Sequence, residues 1–154
     1  MTGRGDHAEG TPAKIEPRDL VSVAVVGSRA ASPSGIAFTE RLCTELAGNG
    51  VSIISGLAVG IDSAAHRGAI KGNGRTIAVV GCGLDIDYPR ANGSLRNDIA
   101  ENGAVVSEFV MGTPPAPGHF PQRNRIISGL ALGVVVVEAA HKSGSLITAR
   151  LALE

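Results

Sequence analysis

The chain has 154 residues, 44% of them hydrophobic and 3% aromatic, which fits one globular domain with an aliphatic core and excludes a disordered chain. Its 14 basic and 14 acidic residues cancel, which argues mildly against a nucleic-acid binder but leaves a local cluster of positive charge open. Since it has no apolar run long enough for a membrane helix and no signal peptide, we expect a cytoplasmic protein with no membrane partner.

The first 18 residues are polar and rich in Gly and Pro, so they predict a flexible tail. We assign residues 19–154 to one domain. Within it, five β-branched runs predict strands at 21–26, 51–55, 76–80, 104–107 and 133–137. The runs are continuously apolar, which is typical of strands covered on both faces.

Helical patterns lie between the strands, at 36–47, from Asp62 to about Lys71, at 92–102, at 121–130 and at 145–154. Strands that alternate with helices favour right-handed crossovers. The expected fold is therefore an α/β, doubly wound parallel sheet with helices on both faces, in three αβα layers.

The last predicted helix, at 146–154, stops at Glu154 without a capping residue and with a carboxylate that the helix dipole disfavours. We therefore expect the complete domain to continue into at least one more strand. Cys43 and Cys82 have no metal-ligand spacing, and both are expected to be reduced thiols near the core. We expect no cofactor and no metal.

The turns after the five strands are rich in small residues, and all of them should meet at the carboxyl edge of the sheet, where ligands bind in such folds. Small residues let the backbone approach a ligand, and amides at helix N-termini favour an anion. Arg29 and Lys142 would add positive charge at the same edge. The sequence therefore predicts a phosphate-binding edge. Each glycine turn taken alone is equally well explained by the need of a tight turn for glycine.

Three side-chain patterns have both a structural and a functional interpretation. Asp62 is better explained as a helix cap than as a catalytic acid, and His66, four residues later, lacks a third partner for a metal site. Arg123 and Arg125 are either a solvated helix start or a clamp for a phosphate, and the sequence does not separate these alternatives.

Common enzyme signatures are missing from the sequence. The turn after the first strand lacks G-x-G-x-x-G, and no Walker A loop or G-x-S-x-G elbow is present. A dehydrogenase, a P-loop NTPase and an α/β-hydrolase are therefore poor fits.

Five segments, in order and with compatible spacing, resemble the DNA-processing protein A (DprA, also called Smf) family from about Val23 to the last residue. They are VVGSR at 25–29, SGLAVGIDSAAH at 55–66, GLDIDYP at 83–89, FPQRNRIISGL at 120–130 and VEAAHKSGSLITA at 137–149.

This resemblance implies an extended Rossmann-like fold that binds single-stranded DNA without sequence preference, protects incoming DNA during natural transformation and loads the RecA recombinase. It implies no catalysis. Carried over by position, the DNA-contacting candidates are Arg29, Arg123, Arg125 and Lys142 beside Ser143, Gly144 and Ser145, with Ser55, Gly56 and Gly60 shaping the pocket floor. Phosphate contacts should dominate, since the only stacking partners are Tyr88, Phe109 and Phe120.

The family resemblance also implies a homodimer, which depends partly on surfaces beyond Glu154. We therefore do not expect this chain alone to dimerise or to load RecA normally. Two alternatives stay open: a phosphoribohydrolase of the related lysine-decarboxylase-like group, and a nucleotide sensor without catalysis. The enzyme is disfavoured because its P-G-G-x-G-T-x-x-E motif is replaced by SGSLIT at 143–148, with no glutamate before Glu154.

Overall fold

The structure, a computed structural model, describes residues 14–139, 150 and 153. Five parallel strands form one sheet in the order β4-β3-β2-β1-β5. The strands are β1 Ser22–Gly27, β2 Ser52–Ser55, β3 Thr76–Val79, β4 Gly103–Val106 and β5 Gly133–Val137. Each predicted strand is confirmed to within one residue at either end, because short β-branched runs between turn residues mark strands directly.

Four helices connect the strands: α1 Pro33–Gly48, α2 Ile61–Lys71, α3 Gly93–Asn102 and α4 His119–Leu130. The first begins three residues earlier than predicted, since Ser32 caps it by accepting a hydrogen bond from the Gly35 amide at 3.1 Å and Pro33 is its first residue. The helix predicted at 145–154 falls outside the described residues, apart from Arg150 and Leu153, which are helical.

Alternate strand residues pack on opposite faces of the sheet. On one face, Val25 and Ile53 join a buried cluster with Cys43 of α1 and Ala65 of α2. On the other face, Ile54 packs against Ile127 of α4. The α/β fold with helices on both faces of a parallel sheet is thus confirmed, and the chain reverses its direction across the sheet between β1 and β5.

Residues 14–18, which we assigned to a tail, lie against the domain. Arg75 donates one hydrogen bond to the backbone oxygen of Lys14 at 2.7 Å and two to the Asp19 carboxylate, each at 2.8 Å. Asp19 also accepts a hydrogen bond from Ser52 at 2.6 Å. The domain therefore includes at least residues 14–18, because the Lys14 backbone oxygen and the Glu16 carboxylate both contact Arg75.

Both cysteines are buried free thiols, as predicted. Burial raises the pKa of Cys43 to about 12, so this thiol is protonated and unreactive at neutral pH. Among the described residues, no helix is long and apolar enough to cross a bilayer.

Candidate functional site

The carboxyl edge of the sheet carries a small pocket with a cavity volume of about 50 Å³. It lies where the turns after β1, β2 and β3 meet the start of α4, as expected for a doubly wound sheet. Its lining is mostly small or apolar, with two arginines and two aromatic rings: Arg29, Gly56, Ala58, Val59, Val80, Gly81, Tyr88, Pro89, Phe120 and Arg123.

Phe120 is the centre of the pocket wall. The guanidinium carbon of Arg29 lies 5.0 Å from the centroid of its ring, and that of Arg123 lies 5.4 Å from the same centroid. Tyr88 adds a second ring, with its centroid 6.0 Å from that of Phe120. The site therefore combines positive charge with a flat apolar surface, the two features that recognise a nucleic-acid strand.

The two arginines differ in their surroundings. Arg29 is exposed, and it lines the pocket with its guanidinium over the Phe120 ring. Arg123 is only 5% exposed and donates hydrogen bonds to the backbone oxygens of Gly56 at 2.7 Å and Val79 at 2.8 Å. It therefore ties the end of β3 to the turn after β2 and forms the floor, while Arg29 is the arginine available to a phosphate.

Asp62 supports this floor from below and does not cap α2. Gly60 is the N-cap residue of that helix, and the Asp62 carboxylate accepts hydrogen bonds from the amides of Gly56 at 3.2 Å and Ala58 at 3.4 Å. The cap that we predicted at Asp62 is therefore wrong, because the carboxylate folds back onto the turn before the helix. Burial raises the pKa of Asp62, and the nearby charge of Arg123 opposes that rise.

Gly56 leaves the space in which Asp62 and Arg123 approach each other. A side-chain carbon at this position would lie 2.7 Å from Cζ of Arg123 and 2.8 Å from Oδ2 of Asp62, which is closer than real contacts allow. Ser55 is fully buried beneath the turn and donates a hydrogen bond to the backbone oxygen of Val25 at 2.6 Å. Gly56 lines the pocket, whereas Ser55 lies below it, where it links two strands and its side chain also bonds the Asp62 carboxylate.

Gly60 fixes the position of the turn that carries Arg29. Its φ angle of 87° lies in the left-handed region, which favours glycine. A side-chain carbon there would lie 2.8 Å from the backbone oxygen of Arg29. In the turn after β2, which contains Gly60, Leu57 also has a positive φ, of 59°, and its backbone oxygen accepts a hydrogen bond from Asn92 at 2.8 Å.

Arg125 points away from Arg123. It lies two residues further along α4, its side chain is 55% exposed, and it pairs with the Glu108 carboxylate. Two residues correspond to roughly 200° around a helix, so the two guanidinium groups do not form the clamp that the sequence had left open.

Lys142, Ser143, Gly144 and Ser145 fall outside the described residues. Of the four predicted cationic contacts, the structure therefore brings Arg29 and Arg123 together at one pocket and places Arg125 on the outer surface of α4. Sequence reasoning missed the support given by Asp62 and Asn92, since a carboxylate or amide that bonds a neighbouring turn has no sequence signature.

A second aromatic pair includes His119, the residue before Phe120. His119 is stacked on Phe109 with ring centroids 4.2 Å apart, and its Nδ1 lies 3.0 Å from the backbone oxygen of Gly81. Phe109 is thus already packed against another ring, which leaves Phe120 and Tyr88 as the aromatic surface of the pocket.

His66 lies elsewhere, fully buried, with Nδ1 2.6 Å from the hydroxyl of Thr76. Among the described residues, no group of His, Cys, Asp and Glu could hold a metal ion.

Comparison with known proteins finds relatives that carry the names Smf and DprA. Protein Smf of Escherichia coli (strain K12) is 54% identical over 133 residues, which cover 86% of this chain and 36% of that protein. DNA processing protein DprA of Streptococcus pneumoniae is 52% identical over 132 residues, which cover 86% of this chain and 46% of that protein. The chain spans less than half of the length of the curated relatives that it matches.

Solved structures confirm the fold. DNA processing protein A from Streptococcus pneumoniae superposes with a TM-score of 0.82 at 50% identity, over 88% of this chain and 48% of that one. The Helicobacter pylori protein, whose structure is described by its single-stranded DNA binding mode, gives a TM-score of 0.83 at 35% identity, over 96% of this chain and 70% of that one. A molybdenum cofactor binding protein from Rippkaea orientalis, at 21% identity and a TM-score of 0.60, shares the fold alone.

The family resemblance that the sequence motifs predicted is confirmed by the family model for DNA recombination-mediator protein A, which matches residues 9–154. This match extends over nearly the whole chain, and the curated relatives carry the names Smf and DprA. The chain therefore belongs to the DNA recombination-mediator protein A family.

Proposed function

We propose that this chain is the part of a DNA recombination-mediator protein that binds single-stranded DNA, and that the strand lies across the carboxyl-edge pocket. The observation that carries the proposal is the exposed guanidinium of Arg29, 5.0 Å from the centroid of the Phe120 ring. A cation beside an aromatic surface suits one backbone phosphate and the base attached to it. The relative from Helicobacter pylori, described by its single-stranded DNA binding mode, supports the same ligand.

Binding should be independent of base sequence. Among the described residues that line the pocket, the side chains with hydrogen-bonding groups are those of Arg29, Tyr88 and Arg123. Because Arg123 is engaged with the Gly56 and Val79 oxygens, few donors are left to read the edge of a base. Stacking accepts every base, since each has a flat π face.

We further propose that the chain acts by binding and not by catalysis, and that the complete protein delivers the strand to the RecA recombinase. The family description as a recombination mediator supports this role. The Asp62 carboxylate beneath the pocket is buried and engaged with two backbone amides. Release of free base from AMP at catalytic turnover would overturn the non-catalytic part. The homodimer of the complete protein stays a prediction.

The decisive experiment compares Arg29→Ala with Arg41→Ala in fluorescence anisotropy titrations of oligo-dT at several salt concentrations. Arg41 is a matched control, since it is exposed on α1 about two turns from the start of that helix. Removing a phosphate contact should weaken binding and flatten the slope of log K against log salt by about 0.7. The Arg41 variant should keep the affinity and slope of the wild type.

Equal affinity and slope in the wild type and Arg29→Ala would reject the pocket as the DNA site. No salt-dependent binding of oligo-dT by the wild type would reject the function itself. Lys142→Ala is predicted to flatten the slope in the same way as Arg29→Ala, and the same titration tests that residue.

A further inference from the structure

Glu138 occupies an unusual place in the fold. It directly follows β5, the neighbour of β1, at the point where the chain reverses its direction across the sheet. In doubly wound folds this crevice commonly takes the phosphate of a nucleotide, held at the N-terminus of the first helix. Here the helix N-terminus at that position belongs to α1, and the group lying on it is a carboxylate of the protein itself.

The Glu138 carboxylate binds the start of α1 through both of its oxygens. Oε2 accepts a hydrogen bond from the Ser32 amide at 2.8 Å, and Oε1 accepts one from the Ser32 hydroxyl. The carboxylate also lies directly over Gly35, where a side-chain carbon would be 2.5 Å from Oε2. These contacts match those that a helix N-terminus offers to a phosphate, namely a backbone amide, a hydroxyl and no side chain in the way.

Helix capping alone does not explain this arrangement. Ser32 already caps α1 by accepting the hydrogen bond from the Gly35 amide. Glu138 moreover adopts a positive φ of 53°, a backbone conformation that residues other than glycine rarely adopt. The first turn of this 16-residue helix holds no acidic residue of its own, so the charge that complements the helix dipole comes from Glu138, the residue after β5.

We infer that Glu138 is a specificity-determining residue that fills the anion site at the start of α1 and thereby excludes free phosphate and mononucleotides. A DNA strand can still bind, because its phosphates meet the exposed Arg29 on the pocket side of the same turn. This second half of the inference rests on the proposed function. The exclusion of small anions does not depend on it.

The test compares wild type, Glu138→Ala and Glu138→Gln in titrations with inorganic phosphate and with thymidine monophosphate, followed through the amide NMR signals of Ser32 and Gly35. Glu45→Ala is the matched control, since it removes an exposed carboxylate from the other end of α1 and changes the net charge equally. We expect Glu138→Ala to bind phosphate at these amides about tenfold more tightly than the wild type. Glu45→Ala should behave as the wild type does.

Two results would overturn the inference. One is phosphate binding by the wild type at the Ser32 and Gly35 amides with the affinity of Glu138→Ala. The other is a Glu138→Ala variant that melts like the wild type and gains no phosphate binding. If that variant does not fold, Glu138→Gln decides: its neutral amide keeps the shape, so a gain in phosphate affinity supports the inference and no gain rejects it.

Oligo-dT titrations on the same variants separate this inference from the proposed function. If the wild type does not bind oligo-dT, the proposed function fails, and the phosphate comparison still decides whether Glu138 excludes small anions. If the wild type binds oligo-dT but removal of the Glu138 carboxylate opens no phosphate site, only the inference fails.

Discussion

The sharpest prediction concerns the ring of Phe120. In Phe120→Ala the pocket loses its central aromatic surface and the surface over which the Arg29 guanidinium lies. Stacking of one base on an aromatic side chain contributes about 1–3 kcal/mol. Since about 1.4 kcal/mol corresponds to a tenfold change in affinity, the variant should bind oligo-dT about 5- to 150-fold more weakly.

The salt dependence should distinguish this loss from the loss of a charge. Phe120→Ala removes no cation, so the slope of log K against log salt should stay at the wild-type value, whereas Arg29→Ala should flatten it. Fluorescence anisotropy with a labelled oligo-dT at three salt concentrations measures both quantities. Phe120→Tyr keeps the ring and should retain most of the affinity.

Phe38→Ala provides the control for removing a phenylalanine, because Phe38 is 48% exposed on α1 and does not line the pocket. Its affinity for oligo-dT should equal that of the wild type. The reasoning would be refuted by an unchanged affinity in Phe120→Ala, or by an equal loss in Phe38→Ala.

Two predictions concern stability. Burial lowers the pKa of His66 to about 3, against about 6.5 in the unfolded chain. Unfolding below about pH 6.5 therefore takes up a proton. The contribution of His66 to stability is complete above about pH 6.5 and is lost as the pH falls toward about 3. The melting temperature of the wild type should thus fall more steeply than that of His66→Gln between about pH 6.5 and 4.5, and parallel slopes in thermal circular dichroism would contradict this. Asp19→Ala, which removes the buried carboxylate from its ion pair with Arg75, should lower the free energy of unfolding by about 2–3 kcal/mol in urea titrations. Its oligo-dT affinity should not change, since Asp19 lies at the opposite edge of the sheet, and a matching loss of affinity would contradict that separation.

The protonation of His66 also follows from its contacts. The Thr76 hydroxyl donates its hydrogen to the backbone oxygen of Ile53 at 2.9 Å, so it accepts a hydrogen bond from Nδ1 of His66 at 2.6 Å. The proton of the neutral ring is therefore on Nδ1. Nε2 is left as a buried acceptor with no partner in the part of the chain that the structure describes. This residue is a core histidine.

The strands, their parallel arrangement and the edge that carries the site could be predicted from the sequence. Those features depend on local patterns: apolar runs mark buried strands, and the turns after parallel strands must meet at one edge. The position of Arg29 was predicted in this way, since a residue directly after β1 must lie at the carboxyl edge of the sheet.

The tertiary structure decided which arginine of α4 is buried and which is exposed. Arg123 and Arg125 are equivalent in the sequence, two cations two residues apart in one helix. Only the packing of α4 against the sheet turns Arg123 inward to the oxygens of Gly56 and Val79 and leaves Arg125 beside Glu108.

The roles of the carboxylates also required the structure. Asp62 has the sequence signature of a helix cap, yet it bonds the turn before its helix. Glu138 lies 106 residues from Ser32, the residue that it holds. Hydrogen bonds between distant segments depend on distances that arise only when the sheet has formed. For that reason, local sequence determined the helices and strands of this protein, and tertiary packing decided which charged side chains stay unpaired at the surface of the site.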